Sequence, residues 1–359
     1  MKKSLFNTLL LTIAIIIFGA ATASSQEITK DFKKSFTVSP QKAVIIDNRY
    51  GDVFIESTDG KEVTIDVRVT VEMSSTERSE KLITLIDVQF MENDSAVGAK
   101  TVLDDRFSTV TRGAGNNRFS IDYTVRMPAE NYIDISNRYG NVKLADHRGR
   151  ININLRYGNL VALKLSRGNV KPINTIAISY GKATIEEANW LSVVSRYTTD
   201  FSIGKVQAMT LDSRYSKIII DEAGSIVADS KYDNISVLDI NNLVAESGYT
   251  TYKLGTLHTN LKVEARYGSM TTDRVPPGFE TIDIDASYFS TTIAIDRSAS
   301  YRLDARLNYG SLSYCEECVD ITRKIVETTS REIAGVAGTD KNTTATVKIN
   351  SSYSSVRLR

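Results

Sequence analysis

A tyrosine returns every 17 or 18 residues through the middle of this chain, and that spacing limits what the chain can fold into. The series runs Tyr139, Tyr157, Tyr180, Tyr197, Tyr215, Tyr232, Tyr249, Tyr267, Tyr288 and Tyr309, with an earlier copy at Tyr50 and a last one at Tyr353. Each copy has one grammar, as in "LDSRYSKIII" (211–220). Leu211, Ser213 and Tyr215 alternate with Asp212 and Arg214, which is strand period. After Tyr215 the phase breaks, and Ile218 and Ile220 become the inward set, so two strands meet at a bend. Gly51, Gly140, Gly158, Gly181, Gly268 and Gly310 follow their tyrosines, as a bend with unusual backbone angles would favour.

Short strands recurring with this period, and no helix between copies, predict an all-β chain. It is a parallel β-solenoid (β-helix) of 17–18-residue coils whose equivalent strands pair ~4.8 Å apart. Roughly ten coils would give a rod about 50 Å long. The general preference for right-handed crossovers makes right-handed the expectation. A propeller blade needs about 40 residues, and a sandwich has no need of one residue type at a fixed interval.

By parity, Ser195, Ser213, Ser230 and Ser247 point inward beside the bend, where a narrow coil takes a small side chain. The same parity turns the tyrosines inward as a ladder that fixes register, with ring near the core and hydroxyl at its edge. The other reading is a stripe that stacks on sugars or a partner. Outward sites carry charge: Asp212 with Arg214, Asp229 with Lys231, Glu264 with Arg266. Glu246 and Asp285 continue the acidic row, while Gly248 and Ser287 interrupt the basic one. A solvated mixed-charge face that discourages edge pairing is one meaning; a specific site for a polyanion or carboxylate is the other.

The ends break the period. Residues 1–23 read as a signal peptide: Lys2 and Lys3, an apolar run from Leu9 to Phe18, and Ala21-Thr22-Ala23 before a mature start near Ser24. An uncleaved anchor competes, but the run is short of the about 20 residues a span needs, and no later segment is apolar enough to span a membrane. Residues 24–130 read as a small α+β elaboration and the first coil, with strands at Glu62 to Met73 and Phe119 to Met127 and another near Val97 to Leu103. A helix between them is capped by Ser75 or Thr76, with Leu82, Leu85 and Ile86 on one face; Thr111 to Asn117 is an exposed loop. Residues 131–314 carry the repeats. Residues 315–359 read as C-terminal coils with an inserted hairpin, "ITRKIVETTS" and "TTATVKIN" closing around Gly335 to Gly338.

Little catalytic chemistry is legible. The chain has two His, His147 and His258, and none of the hydrolase, metalloprotease, P-loop or nicotinamide motifs. No cofactor is implied. Cys315 and Cys318 form the only close thiol pair; an exported chain would most simply close them as a disulfide, with free thiols and metal or redox chemistry as alternatives. The net charge of +1 gives no reason to expect nucleic acid.

The phrases "DNRYGDVFIE", "SNRYGNVKLAD", "FSIDYTVRMPAENYIDIS" and "SSYSSVRLR" resemble the bacterial putative-adhesin family, exported β-solenoid proteins of unknown function. The resemblance covers most of the mature chain and implies a surface or periplasmic β-solenoid; no binding residue carries over with it. The expected function is therefore a non-enzymatic, adhesin-like cell-envelope protein that meets an unknown protein or glycan. It would act in the periplasm, at the outer-membrane surface or outside the cell. A periplasmic scaffold or envelope-stress component is a second reading, and a polysaccharide-active β-helix enzyme a third.

Overall fold

A computed structural model describes residues 27–112 and 118–359. The expected signal peptide, with its expected cleavage site near Ser24, and most of the expected loop at Thr111 to Asn117 fall outside them. The chain is all-β, with two short helices at Thr76–Ile83 and Phe107–Thr111.

The repeats pair side by side in parallel, one period apart. Ile133–Arg138 pairs with Ile151–Arg156, which pairs with Asn174–Ser179, which pairs with the far half of Lys182–Arg196. Lys182–Arg196, Asp200–Arg214, Lys217–Lys231 and the long run Asn234–Val275 follow in unbroken register. Thus Val193, Leu211, Ala228 and Ala245 form one inward column, and Phe201, Ile218 and Ile235 another. All are buried. Each Val, Leu, Ile or Phe among them contributes about 1.5–3 kcal/mol by leaving water, and each alanine about 0.8 kcal/mol. Ser195, Ser213, Ser230 and Ser247 are buried too.

The tyrosines do not follow parity. All twelve ladder tyrosines, from Tyr50 to Tyr353, have a left-handed backbone with φ between 49° and 68°. The strand ends one residue earlier, at Arg196, Arg214 or Lys231. Alternation stops applying there, and the left-handed turn swings the ring outward. Tyr157 is 39% exposed and Tyr309 60%. From Tyr50 to Tyr232 the corner stays in register because the tyrosine N–H donates to the next repeat. Tyr197 N reaches Arg214 O at 3.0 Å and Tyr232 N reaches Gly248 O at 3.0 Å.

The glycines after the tyrosines answer a different need from the expected one. Among the six, only Gly268 has positive φ. At Gly140, Gly158 and Gly181 a Cβ would lie 1.9, 1.9 and 1.8 Å from the carbonyl oxygen of Gly51, Gly140 and Gly158. They are a column of backbone crossings with no room for a side chain. In the four repeats from Tyr197 to Tyr249 the same position carries buried side chains: Thr198, Ser216, Asp233 and Thr250.

At the N-terminal end, Ala43–Arg49 pairs in parallel with Ala96–Leu103 on one side and Ile133–Arg138 on the other. Val53–Thr58 lies likewise between Arg118–Pro128 and Val142–Leu144. The segment interrupting the period thus supplies a layer in front of the first coil. Antiparallel partners complete it: Ile28–Thr37 on Glu62–Glu72, Glu62–Glu72 on Arg118–Pro128, and Ile86–Glu92 on Ala96–Leu103. The helix is shorter than expected. Ser75 caps it, its Oγ accepting from Arg78 N at 3.4 Å, and Leu82 and Ile83 are buried, but Ile86 already opens a strand.

The C-terminal end also departs from expectation. Val319–Val326 forms its hairpin with Ser330–Ala337, turning at Glu327 to Thr329 rather than at the glycines. Thr346–Ser352 instead slots in parallel between Thr281–Ile295 and Tyr301–Asn308. Ser330–Ala337 then lies antiparallel on the outer side of Tyr301–Asn308. Cys315 and Cys318 are joined by a disulfide, Cα to Cα 5.3 Å, at the start of that hairpin.

Candidate functional site: the tyrosine and charge face

The twelve rings form one continuous stack. Neighbouring centroids are 4.7–5.2 Å apart from Tyr50 through Tyr139, Tyr157, Tyr180, Tyr197, Tyr215, Tyr232, Tyr249, Tyr267 and Tyr288. The stack then passes to Tyr353 at 4.8 Å and ends on Tyr309 at 5.0 Å. Chain order is broken there because the last coil is inserted. Phe107 covers the Tyr50 end at 5.8 Å. Strand pairing at ~4.8 Å sets this spacing, so the rings show solvent their edges and hydroxyls while their faces cover one another.

Beside the ladder run two charged columns. The residue just before each tyrosine is basic at Arg196, Arg214, Lys231 and Arg266, and the residue three before it is acidic at Asp212, Asp229, Glu246, Glu264 and Asp285. Arg196 and Arg214 each reach the acid of the following repeat. Arg196 Nη1 donates to the carbonyls of Ser195 (3.0 Å) and Asp212 (2.8 Å), and its Nη2 to the Asp212 carboxylate at 2.6 Å. Arg214 repeats this: Nη1 to Ser213 O (2.7 Å) and Asp229 O (3.0 Å), Nη2 to the Asp229 carboxylate (3.0 Å). Arg214 also pairs with Asp212 at 2.9 Å. Glu264 instead pairs with Lys262 of its own strand at 2.9 Å.

Where Gly248 interrupts the basic column the face opens into a groove of about 690 Å³. Tyr232, Tyr249 and Tyr267 line it with Asp229, Glu246, Glu264 and Asp285. The gap at Gly248 is legible in the sequence and the groove is not, because the depth depends on arginines of other repeats, Arg196 and Arg214, lying across their neighbours.

Behind the ladder a polar thread runs through the core. Buried Asp233 accepts from Ser213 Oγ (2.5 Å), Ser216 N (2.7 Å) and Lys231 N (3.1 Å). Burial raises its pKa against those bonds. Ser230 Oγ meets the buried Tyr252 hydroxyl at 2.7 Å, and burial pushes that phenol up to about 12. These groups satisfy one another and hold the corner.

The two histidines are far from this face in role. His258 pairs with Asp239 of the neighbouring coil at 2.9 Å. His147 is fully buried, its Nε2 2.9 Å from Asn131 O, and burial lowers its pKa to about 4. The folded chain keeps it neutral, whereas the unfolded chain protonates it near 6.5. Its contribution is therefore complete above pH 6.5 and declines as pH falls towards 4. Urea unfolding should show about 2–3 kcal/mol lost between pH 7 and pH 4.5 from this group. His147→Gln, which can keep the bond to Asn131, should flatten that slope; an unchanged slope would assign it elsewhere.

Among the described residues no helix is long and apolar enough to cross a membrane. No family model and no curated protein matches the chain. Solved structures do. A putative adhesin from Bacteroides fragilis is 16% identical over 76% of this chain and 99% of its own, with a TM-score of 0.35. A putative adhesin from Parabacteroides distasonis is 11% identical over 92% and 97%, at 0.32. A putative lipid binding protein from the same species is 8% identical over 92% and 96%, at 0.27. Two of these three bacterial structures are described as putative adhesins.

Proposed function

We propose that this chain is an exported, right-handed β-solenoid that acts without catalysis, as an adhesin-like protein presenting one long rigid face to a partner at the cell envelope. The observation that carries this is the outward ladder. Twelve tyrosines stand at left-handed corners, eleven of them exposed, and they run beside two columns of charge. A left-handed corner costs a non-glycine residue about 1–2 kcal/mol, and a large amphipathic ring there leaves an edge and a hydroxyl to solvent. Aromatic rings of this kind are what protein and glycan interfaces draw on. The signal-like start (Lys2, Lys3, Leu9 to Phe18) supports export.

Protease treatment of intact cells tests the location. Cleavage before the outer membrane is opened is the expected result. Protection until it is opened would favour the periplasmic scaffold reading, in which the same face binds an envelope protein.

A further inference from the structure

We propose that Gly248 is a vacant place in the basic column, built to receive an arginine side chain from a partner protein. This deepens the reading of the face as a binding surface and rests on it.

The chain supplies its own template for the ligand. At Arg196 and at Arg214 a guanidinium lies across the coil boundary and takes three acceptors: the carbonyl of the preceding residue, the carbonyl of the acid in the next coil, and that acid's carboxylate. Moved along to residue 248, the same three are Ser247 O, Glu264 O and the Glu264 carboxylate. The groove opens at that place, lined by Ser247, Gly248 and Glu264 with Lys231 and Arg266 at its sides. Lys262 takes Glu264 Oε1, leaving the second carboxylate oxygen, and Glu246 adds a further carboxylate to the groove wall.

The glycine is not there for its backbone. Its φ is not positive, and an added Cβ would meet nothing nearer than Lys231 Cγ at 3.8 Å and Arg266 O at 3.9 Å. Glycine inside a strand weakens it, and such a residue often marks a close approach by a ligand. The contrast with the crowded Gly158 is direct: one position cannot hold a side chain, and the other can but does not.

Arginine fits better than lysine. Its planar fork matches two carbonyls and a carboxylate together, whereas an ammonium is a compact, strongly hydrated point charge. Lys231 and Arg266 flank the place, but Arg196, Arg214 and Lys231 already stand on consecutive rungs, so the column accommodates cations at this spacing while the acid column lies alongside.

The test is titration of a blocked Gly-Arg-Gly peptide into the purified protein, followed by calorimetry and by the ring resonances of Tyr249 and Tyr267. One saturable site is expected, with the Gly-Lys-Gly peptide at least about tenfold weaker. Gly248→Arg should fill the place from within, abolishing binding while melting at or above the wild-type temperature. Thr184→Arg, an equal charge change elsewhere on an exposed strand, should bind as wild type. Absence of a saturable site, equal binding of the lysine peptide, or unchanged binding by a folded Gly248→Arg would each overturn the proposal. None of these bears on whether the face is exposed on cells, so the two readings fail separately.

Discussion

Gly158→Ala should destabilise the chain by about 3 kcal/mol or more, or prevent recovery of folded protein. The added methyl would sit 1.9 Å from the Gly140 carbonyl oxygen, and the far side offers no escape because Gly181 crosses Gly158 as closely. Backbone on both faces cannot step aside as a flexible side chain could. Gly248→Ala, with nothing nearer than 3.8 Å, is the matched control and should leave stability unchanged or raise it by up to about 1 kcal/mol. Urea unfolding of the two variants beside wild type measures the contrast. A repeat array can melt in pieces, so two probes, far-ultraviolet dichroism and the lone tryptophan, Trp190, should be followed together.

Tyr232→Ile should cost about 2–4 kcal/mol, and Tyr232→Asn clearly less. Both remove a ring stacked at 4.8 Å on each side, between Tyr215 and Tyr249. Only the isoleucine also forces a β-branched residue into a backbone of φ 59°, a conformation that asparagine tolerates. If the ladder were held by core packing of the rings, isoleucine would be the milder change. Thermal unfolding of the two variants decides the order.

That second contrast marks where the sequence was readable and where it was not. The period, the inward serines and the mixed-charge sites all come from local alternation, and Leu211, Ser213 and Asp212 lie where alternation puts them. Tyr215 does not, because alternation presumes extended backbone and the corner is left-handed. The run of glycines looked like the residue that turns the corner; the tyrosine turns it, and the glycines serve a crossing between coils that no single repeat reveals. The C-terminal hairpin misleads for a related reason. "SSYSSVRLR" carries the repeat grammar, but that grammar fits any rung alike, so the insertion of Tyr353 between Tyr288 and Tyr309 is a matter of long-range pairing. The groove at Gly248 sits between these cases: the missing basic residue is written in the sequence, while its three acceptors appear only when successive coils are laid side by side.

Attachment of cells displaying the protein to immobilised gelatin and mucin layers tests the ladder face most directly. The comparison is wild type against Tyr215→Asn/Tyr232→Asn/Tyr249→Asn, with surface protease sensitivity confirming equal display. Asparagine keeps the left-handed corner available while removing three adjacent rings. The account predicts that wild-type cells attach to at least one layer above bare cells and that the triple variant loses at least about fivefold of that attachment. Equal attachment by the two, or no attachment above bare cells by a displayed wild type, would contradict it.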